Sequence, residues 1–141
     1  MGILTLPEDA RADLENRAHA GYPLEICGLL LGRQTNGHVK VERVVQARNL
    51  NHERAHDRYE LDPQDFMATD KQARAEGLEI VGVWHSHPNH SAHPSETDRA
   101  AAWEGWSYVI LSVTGEGARD LRSWRLSSER FVEESITICP R

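Results

Sequence analysis

The chain has 141 residues, with 16 lysines and arginines against 22 aspartates and glutamates, a net charge of -6. That length supports one compact domain, residues 1–141, with a core of its own and no need of disulfide staples. The acidic balance argues against a nucleic-acid backbone as ligand, no apolar run reaches the ~20 residues of a membrane span, and the charged start Pro7-Glu8-Asp9-Ala10-Arg11 is not a secretory signal. A cytoplasmic protein is expected.

Taken in order, Pro7 with Glu8 and Asp9 reads as the first turn of a helix running through Leu14 and Ala18 to a stop near Gly21-Tyr22-Pro23. The run Leu24 to Gly32 is almost wholly apolar, as suits a strand buried on both faces, with Glu25 its one carboxylate. Thr35-Asn36-Gly37 turns the chain, and Val39, Val41, Val44 and Val45 form a second strand pairing back as a hairpin. Residues 49–58 have no period and form a loop. Asp62-Pro63 caps and opens a second helix, which runs through Phe66, Met67 and Ala73 to Gly77.

Leu78 to Trp84 is a strand that delivers His85 and His87. In an extended strand, alternate side chains share a face, so both imidazoles point one way while Ser86 points the other. Pro88 ends the strand, and the turn-forming run Pro88 to Pro94 leads to Ser95, which opens a third helix in a near capping box, Ser95-Glu96-Thr97-Asp98. Asp98 then lies on the first helical turn, able to reach back to the strand end. Two histidines and an aspartate make three ligands, and a zinc site with three protein ligands keeps a fourth position for water. Zinc lowers the pKa of such a water to about 7, and a base is then needed to manage its proton. Further strands at Tyr108–Val113, around residues 121–126 and around residues 131–138 bring the total to five or six strands with three helices, an α/β or α+β fold of mixed strand direction.

The combination Glu25-x-Cys27-Gly28, His85-Ser86-His87-Pro88, Ser95 and Asp98 resembles the JAMM (MPN-plus) zinc metalloprotease motif, in a small bacterial-type version. The Cys-Gly-Leu-Leu-Leu-Gly strand, Asn49 and Tyr59-x-x-Asp62-Pro63 are similar to that family too. The resemblance implies a cytidine-deaminase-like mixed sheet flanked by helices. It implies zinc bound by His85, His87 and Asp98, Glu25 as general base and acid, and Ser95 as a stabiliser of the oxyanion. It also implies hydrolysis of the peptide or isopeptide bond after the Gly-Gly tail of a ubiquitin-like or β-grasp sulfur-carrier protein, that tail adding alongside an exposed strand edge. The competing readings are a non-catalytic MPN-type scaffold and a zinc amidohydrolase on another substrate.

Other residues carry two readings. His90 and His93 are either solvated loop residues or a second metal site. His52, Arg54, His56 and Arg58 are an ordinary charged loop or contacts for a substrate tail or carboxylate. Trp84, Trp103 and Trp106 are core or the walls of a groove. Cys27 and Cys139 read as a small buried hydrophobe and a free tail thiol.

Overall fold

The computed structural model describes residues 2–140. Among them the order is β1 (Ile3–Pro7), α1 (Glu8–Gly21), β2 (Cys27–Thr35), β3 (His38–Ala47), α2 (Pro63–Ala75), β4 (Glu79–Pro88), α3 (Glu96–Ala101), β5 (Ser107–Thr114), β6 (Gly117–Ser127) and β7 (Arg130–Cys139). The mixed sheet flanked by helices is therefore present. One strand more than the sequence suggested begins the chain, and its effect is large. β1 runs parallel to both β3 and β7, and the sheet closes in the order β1-β3-β2-β4-β5-β6-β7. Each strand has a neighbour on both sides for part of its length, but β1 covers β3 only from His38 to Lys40, so β3 beyond that pairs with β2 alone and keeps a free edge.

β1 is masked in the sequence because Pro7 is a strong helix-start signal directly after a very short apolar run. Pro7 is in fact both the last residue of β1 and the N-cap of α1, and Leu4 and Leu6 are fully buried. α1 lays Ala10, Leu14 and Ala18 on the sheet, a spacing of four that keeps them on one face.

β2 is buried on both faces, as its composition requires. Leu30 packs with Leu4, Leu14 and Trp84 in the core under α1, whereas Leu29 and Leu31 join Ala73, Ile80 and Val83 under α2. β2 and β3 form the expected hairpin through Asn36 and Gly37, whose φ of 50° and 78° fit the primed two-residue turns of hairpins. Gly28 is needed for packing: a Cβ there would lie 2.0 Å from the Val45 carbonyl oxygen and 2.4 Å from Trp84 Nε1, which donates to that same carbonyl at 3.0 Å. Trp84 is thus a core residue.

β4 runs antiparallel to β2 and parallel to β5. A register shift opposite Leu30 and Leu31 leaves Val81 as an extra residue, so Val81 and Val83, two apart, serve opposite cores. Beyond this bulge, alternation puts His85 and His87 on the α2 face with Val83.

Candidate metal centre

Each candidate ligand reaches the centre by a separate local device. Glu25 sits just ahead of β2 rather than within it, and is 4% exposed. Its backbone N–H donates to the Ala55 carbonyl, and its own carbonyl accepts from Asn49 Nδ2 at 3.0 Å. Asn49 also donates to the Arg58 carbonyl, and its Oδ1 accepts from the backbone of Asn51 and Glu60. One half-buried amide thereby knits the loop of residues 49–60 to the segment holding Glu25.

His85 and His87 occupy the last turns of the pleat of β4, 1% and 7% exposed. The ring of Tyr59 stacks on His85 with centroids 4.5 Å apart and planes 27° apart. His87 Nδ1 lies 2.8 Å from the Ser91 carbonyl, to which it donates, so its Nε2 faces the centre. The expected capping box on α3 is complete: Ser95 Oγ accepts from the Asp98 N–H, and Asp98 Oδ2 accepts from the Ser95 N–H at 2.8 Å. This locks the carboxylate of Asp98 toward the histidines.

The four groups converge, with ligand atoms of Glu25, His85, His87 and Asp98 all within 4.8 Å of one another. His87 Nε2 is 3.1 Å from Asp98 Oδ2, and His85 Nε2 is 3.7 Å from Asp98 Oδ1. Neighbouring donors around a tetrahedral metal with bonds of about 2.1 Å stand about 3.4 Å apart, so the spacing fits such an ion. His85 Nδ1 lies 3.0 Å from Glu25 Oε1 yet makes no hydrogen bond, an orphaned buried nitrogen beside a carboxylate. Two largely buried carboxylates converging on two imidazoles are costly without a counter-charge, and a cation among them relieves that cost.

The electrostatics agree. Burial works against a charged His87, but its hydrogen bond to Asp98, the Ser91 carbonyl and the charges of Asp98 and Glu25 outweigh it and raise its pKa. Burial likewise opposes ionisation of Asp98, and the hydrogen bond from His87 with the nearby His85 brings it down to about 2. Cys27 is different: burial, then Glu25 and Asp65, push its thiol up to about 12, so it is a protonated core residue and no nucleophile. Cys139 is free and half-buried.

The ligand loop between β4 and α3, left without geometry by the sequence, is held at four successive residues. Tyr22 donates to Asn89 Oδ1, Ser112 Oγ to the His90 carbonyl, His87 to Ser91, and Trp124 Nε1 to the Ala92 carbonyl. His90 and His93 are not part of the converging group: His93 leans on the Trp124 ring, and both are exposed. Arg54 and His56 pair with Asp57.

Two clefts meet at the centre. One, of about 580 Å³, is largely apolar, with Tyr59, Phe66, Asp98, Trp103 and Trp106 in its wall. The other, of about 420 Å³, is polar, with Glu25, His87, His90, His93 and Ser95 in its wall. Trp103 and Trp106 are therefore groove residues, as one of the two readings held. Tyr59 as a stacking partner, and Ser91 and Trp124 as anchors of the loop, were not visible beforehand; only the segment Tyr59-x-x-Asp62-Pro63 gave any signal.

The fold and this donor set together are those of a JAMM-type metal hydrolase. Residues 7–127 match the family described as prokaryotic homologs of the JAB domain, and the chain belongs to that family. It is 32% identical over 142 residues to a desampylase of Haloferax volcanii, covering 96% of each chain. It is 32% identical over 133 residues to the CysO-cysteine peptidase of Mycobacterium tuberculosis, covering 91% of this chain and 88% of that one. The solution structure of a Desulfitobacterium hafniense protein superposes with a TM-score of 0.87 at 28% identity, covering 98% of this chain and 94% of the other. Among the described residues no helix is long and apolar enough to cross a membrane.

Proposed function

We propose that this protein is a zinc-dependent metallopeptidase that hydrolyses the peptide or isopeptide bond after the Gly-Gly tail of a ubiquitin-like or β-grasp sulfur-carrier protein. The observation that carries the reading is the convergence of Glu25, His85, His87 and Asp98 within 4.8 Å, in a chain of the JAB family. Its relatives named desampylase and CysO-cysteine peptidase supply the substrate class.

His85, His87 and Asp98 would hold the metal, and their mixed nitrogen and oxygen donors at tetrahedral spacing suit zinc. Zinc bound there supplies Lewis acidity, polarising a carbonyl and acidifying water. Glu25, buried beside His85, takes the proton of the attacking water and returns it to the leaving amine. Asn49 holds the backbone of Glu25 so that its carboxylate keeps this position. Ser95 Oγ accepts from the Asp98 N–H, which leaves its own proton free to donate to the developing oxyanion, an interaction worth about 3 kcal/mol of barrier in comparable sites. The apolar cleft takes the tail on the acyl side of the bond.

The test is cleavage of a Gly-Gly-extended β-grasp carrier by protein with one zinc per chain. Cleavage should stop with a chelator, return with zinc, and fall by roughly 10³-fold in Glu25→Gln while zinc content stays unchanged. A fully zinc-loaded protein that leaves such carriers intact would sink the reading.

A further inference from the structure

Between the two clefts stands a cation without an assigned task. Asp57, Arg58 and Thr97 line both the apolar and the polar cleft. Arg54 grips Asp57 through both of its oxygens, and His56 adds a longer contact at 3.7 Å. Arg58 acts on Asp57 through space alone. Among the described residues its guanidinium has no hydrogen-bonded carboxylate, whereas its backbone is fixed at both ends: the N–H donates to the Arg54 carbonyl at 2.7 Å and the carbonyl accepts from Asn49 Nδ2 at 3.0 Å. The result is a half-buried arginine whose backbone is fixed at the junction and whose guanidinium is left uncommitted.

The placement of the carboxylates tells the two clefts apart, given the peptidase reading above, on which this step rests. Glu25 lines the polar cleft and not the apolar one, and Asp98 the reverse. The group that returns a proton to the departing amine must lie beside it. The leaving group therefore occupies the polar cleft, and the acyl tail the apolar one. With Asp57 neutralised by Arg54 and Glu25 turned to the metal group, the charge left over on the leaving-group side is that of Arg58.

We infer that Arg58 anchors a carboxylate of the leaving group, and that the preferred bond joins the Gly-Gly tail to a single α-amino acid with a free carboxylate rather than to a lysine side chain of another protein. A planar guanidinium matches a carboxylate with two parallel hydrogen bonds. An α-amino acid presents that carboxylate one carbon from the scissile nitrogen, whereas a lysine ε-amine is followed by four methylenes and no anion. A cleft of about 420 Å³ also suits one or two residues better than a folded partner. Water adds across the bond: the tail gains a carboxylate, the C–N bond breaks, and the amino acid leaves with the proton on its nitrogen.

Three substrates test this: a β-grasp protein ending in Gly-Gly and extended by one alanine as the free acid, the same extension as its C-terminal amide, and the ε-lysyl isopeptide of that protein. Wild type should favour the free acid by about tenfold in kcat/KM, chiefly through KM. Arg58→Gln should erase the advantage by raising KM for the acid far more than for the amide, and Arg58→Lys should keep part of it. Only the backbone of Arg58 is bonded, so both variants should melt like wild type. Equal losses on acid and amide, or no preference in wild type, would overturn the inference. Should zinc-loaded enzyme cleave none of the three, the peptidase reading falls by itself. Arg58 is then judged by calorimetric binding of acetyl-Gly-Gly-Ala and its amide to zinc-loaded Glu25→Gln, where equal affinities overturn the anchor.

Discussion

The indole N–H of Trp124, on β6, donates to the carbonyl of Ala92 at 3.0 Å, and Ala92 is fully buried in the middle of the loop joining His87 to Asp98. A strand on one side of the centre thereby sets the path of a loop that carries ligands at both of its ends. Trp124 also forms the surface on which His93 rests.

Removing that bond should loosen the metal group without emptying it. Trp124→Phe keeps most of the apolar contact and deletes the donor, leaving a buried carbonyl unpaired at a cost of about 1 to 3 kcal/mol. The expected outcome is a fall in zinc affinity of roughly 10-fold, the lower end of what supporting residues around metal ligands contribute. Competition with a fluorescent chelator measures it. Unchanged affinity together with a lowered melting temperature would mean that the loop is held well enough by its other three anchors.

Asn49 is the matching support on the other side. Its amide makes four hydrogen bonds, two as donor and two as acceptor, that join Glu25 to the loop of residues 49–60. In Asn49→Ala a loss of about 2 to 4 kcal/mol in stability is expected from bonds worth about 1 kcal/mol each. Because no ligand atom is removed, zinc content should stay at one per chain while kcat drops. Equal loss of zinc and of activity would show that Asn49 supports the ligands rather than the proton carrier.

How much of this could be read from the chain depends on how local each feature is. His85, His87, Ser95 and Asp98 lie within fourteen residues, and their arrangement follows from strand alternation and a capping box, so their convergence was legible. The hairpin at Asn36-Gly37 and the Asp62-Pro63 helix start were legible for the same reason. Glu25 was readable only through the family resemblance, because its approach to His85 requires the pairing of Cys27 with His85 across β2 and β4, a contact 58 residues apart. β1 was hidden beneath a helix-start proline. The anchors Trp124 and Tyr22 were not legible, and Tyr59 only as part of the family-like segment Tyr59-x-x-Asp62-Pro63, since an aromatic residue gives no sign in sequence of which distant carbonyl or ring it will meet. Barrel closure, set by five parallel pairs between the two ends of the chain, is non-local in the same sense.

The charge balance of the donor group makes stability and metal binding depend on pH in opposite senses. In the metal-free protein the pKa of His87 is raised above 6.5, against the effect of burial, by Asp98 and Ser91. A raised histidine pKa contributes stability that is fully present below about pH 6.5 and lost as pH rises through the folded-state value. Asp98, at about 2 instead of 3.8, contributes stability above about pH 4 that is lost as pH falls through its folded-state value. The chelated protein should therefore melt highest on the acid side of neutrality and lower as pH rises from 6 to 8.5. Zinc replaces the proton between His87 and Asp98, so its binding strengthens over the same interval. The gap in melting temperature between zinc-loaded and chelated protein should widen accordingly. Calorimetric scans of both forms at half-unit steps give that gap directly. A gap that is constant or narrows toward pH 8.5 would mean that protons and zinc do not compete here, and that His87 and Asp98 are not the ligands.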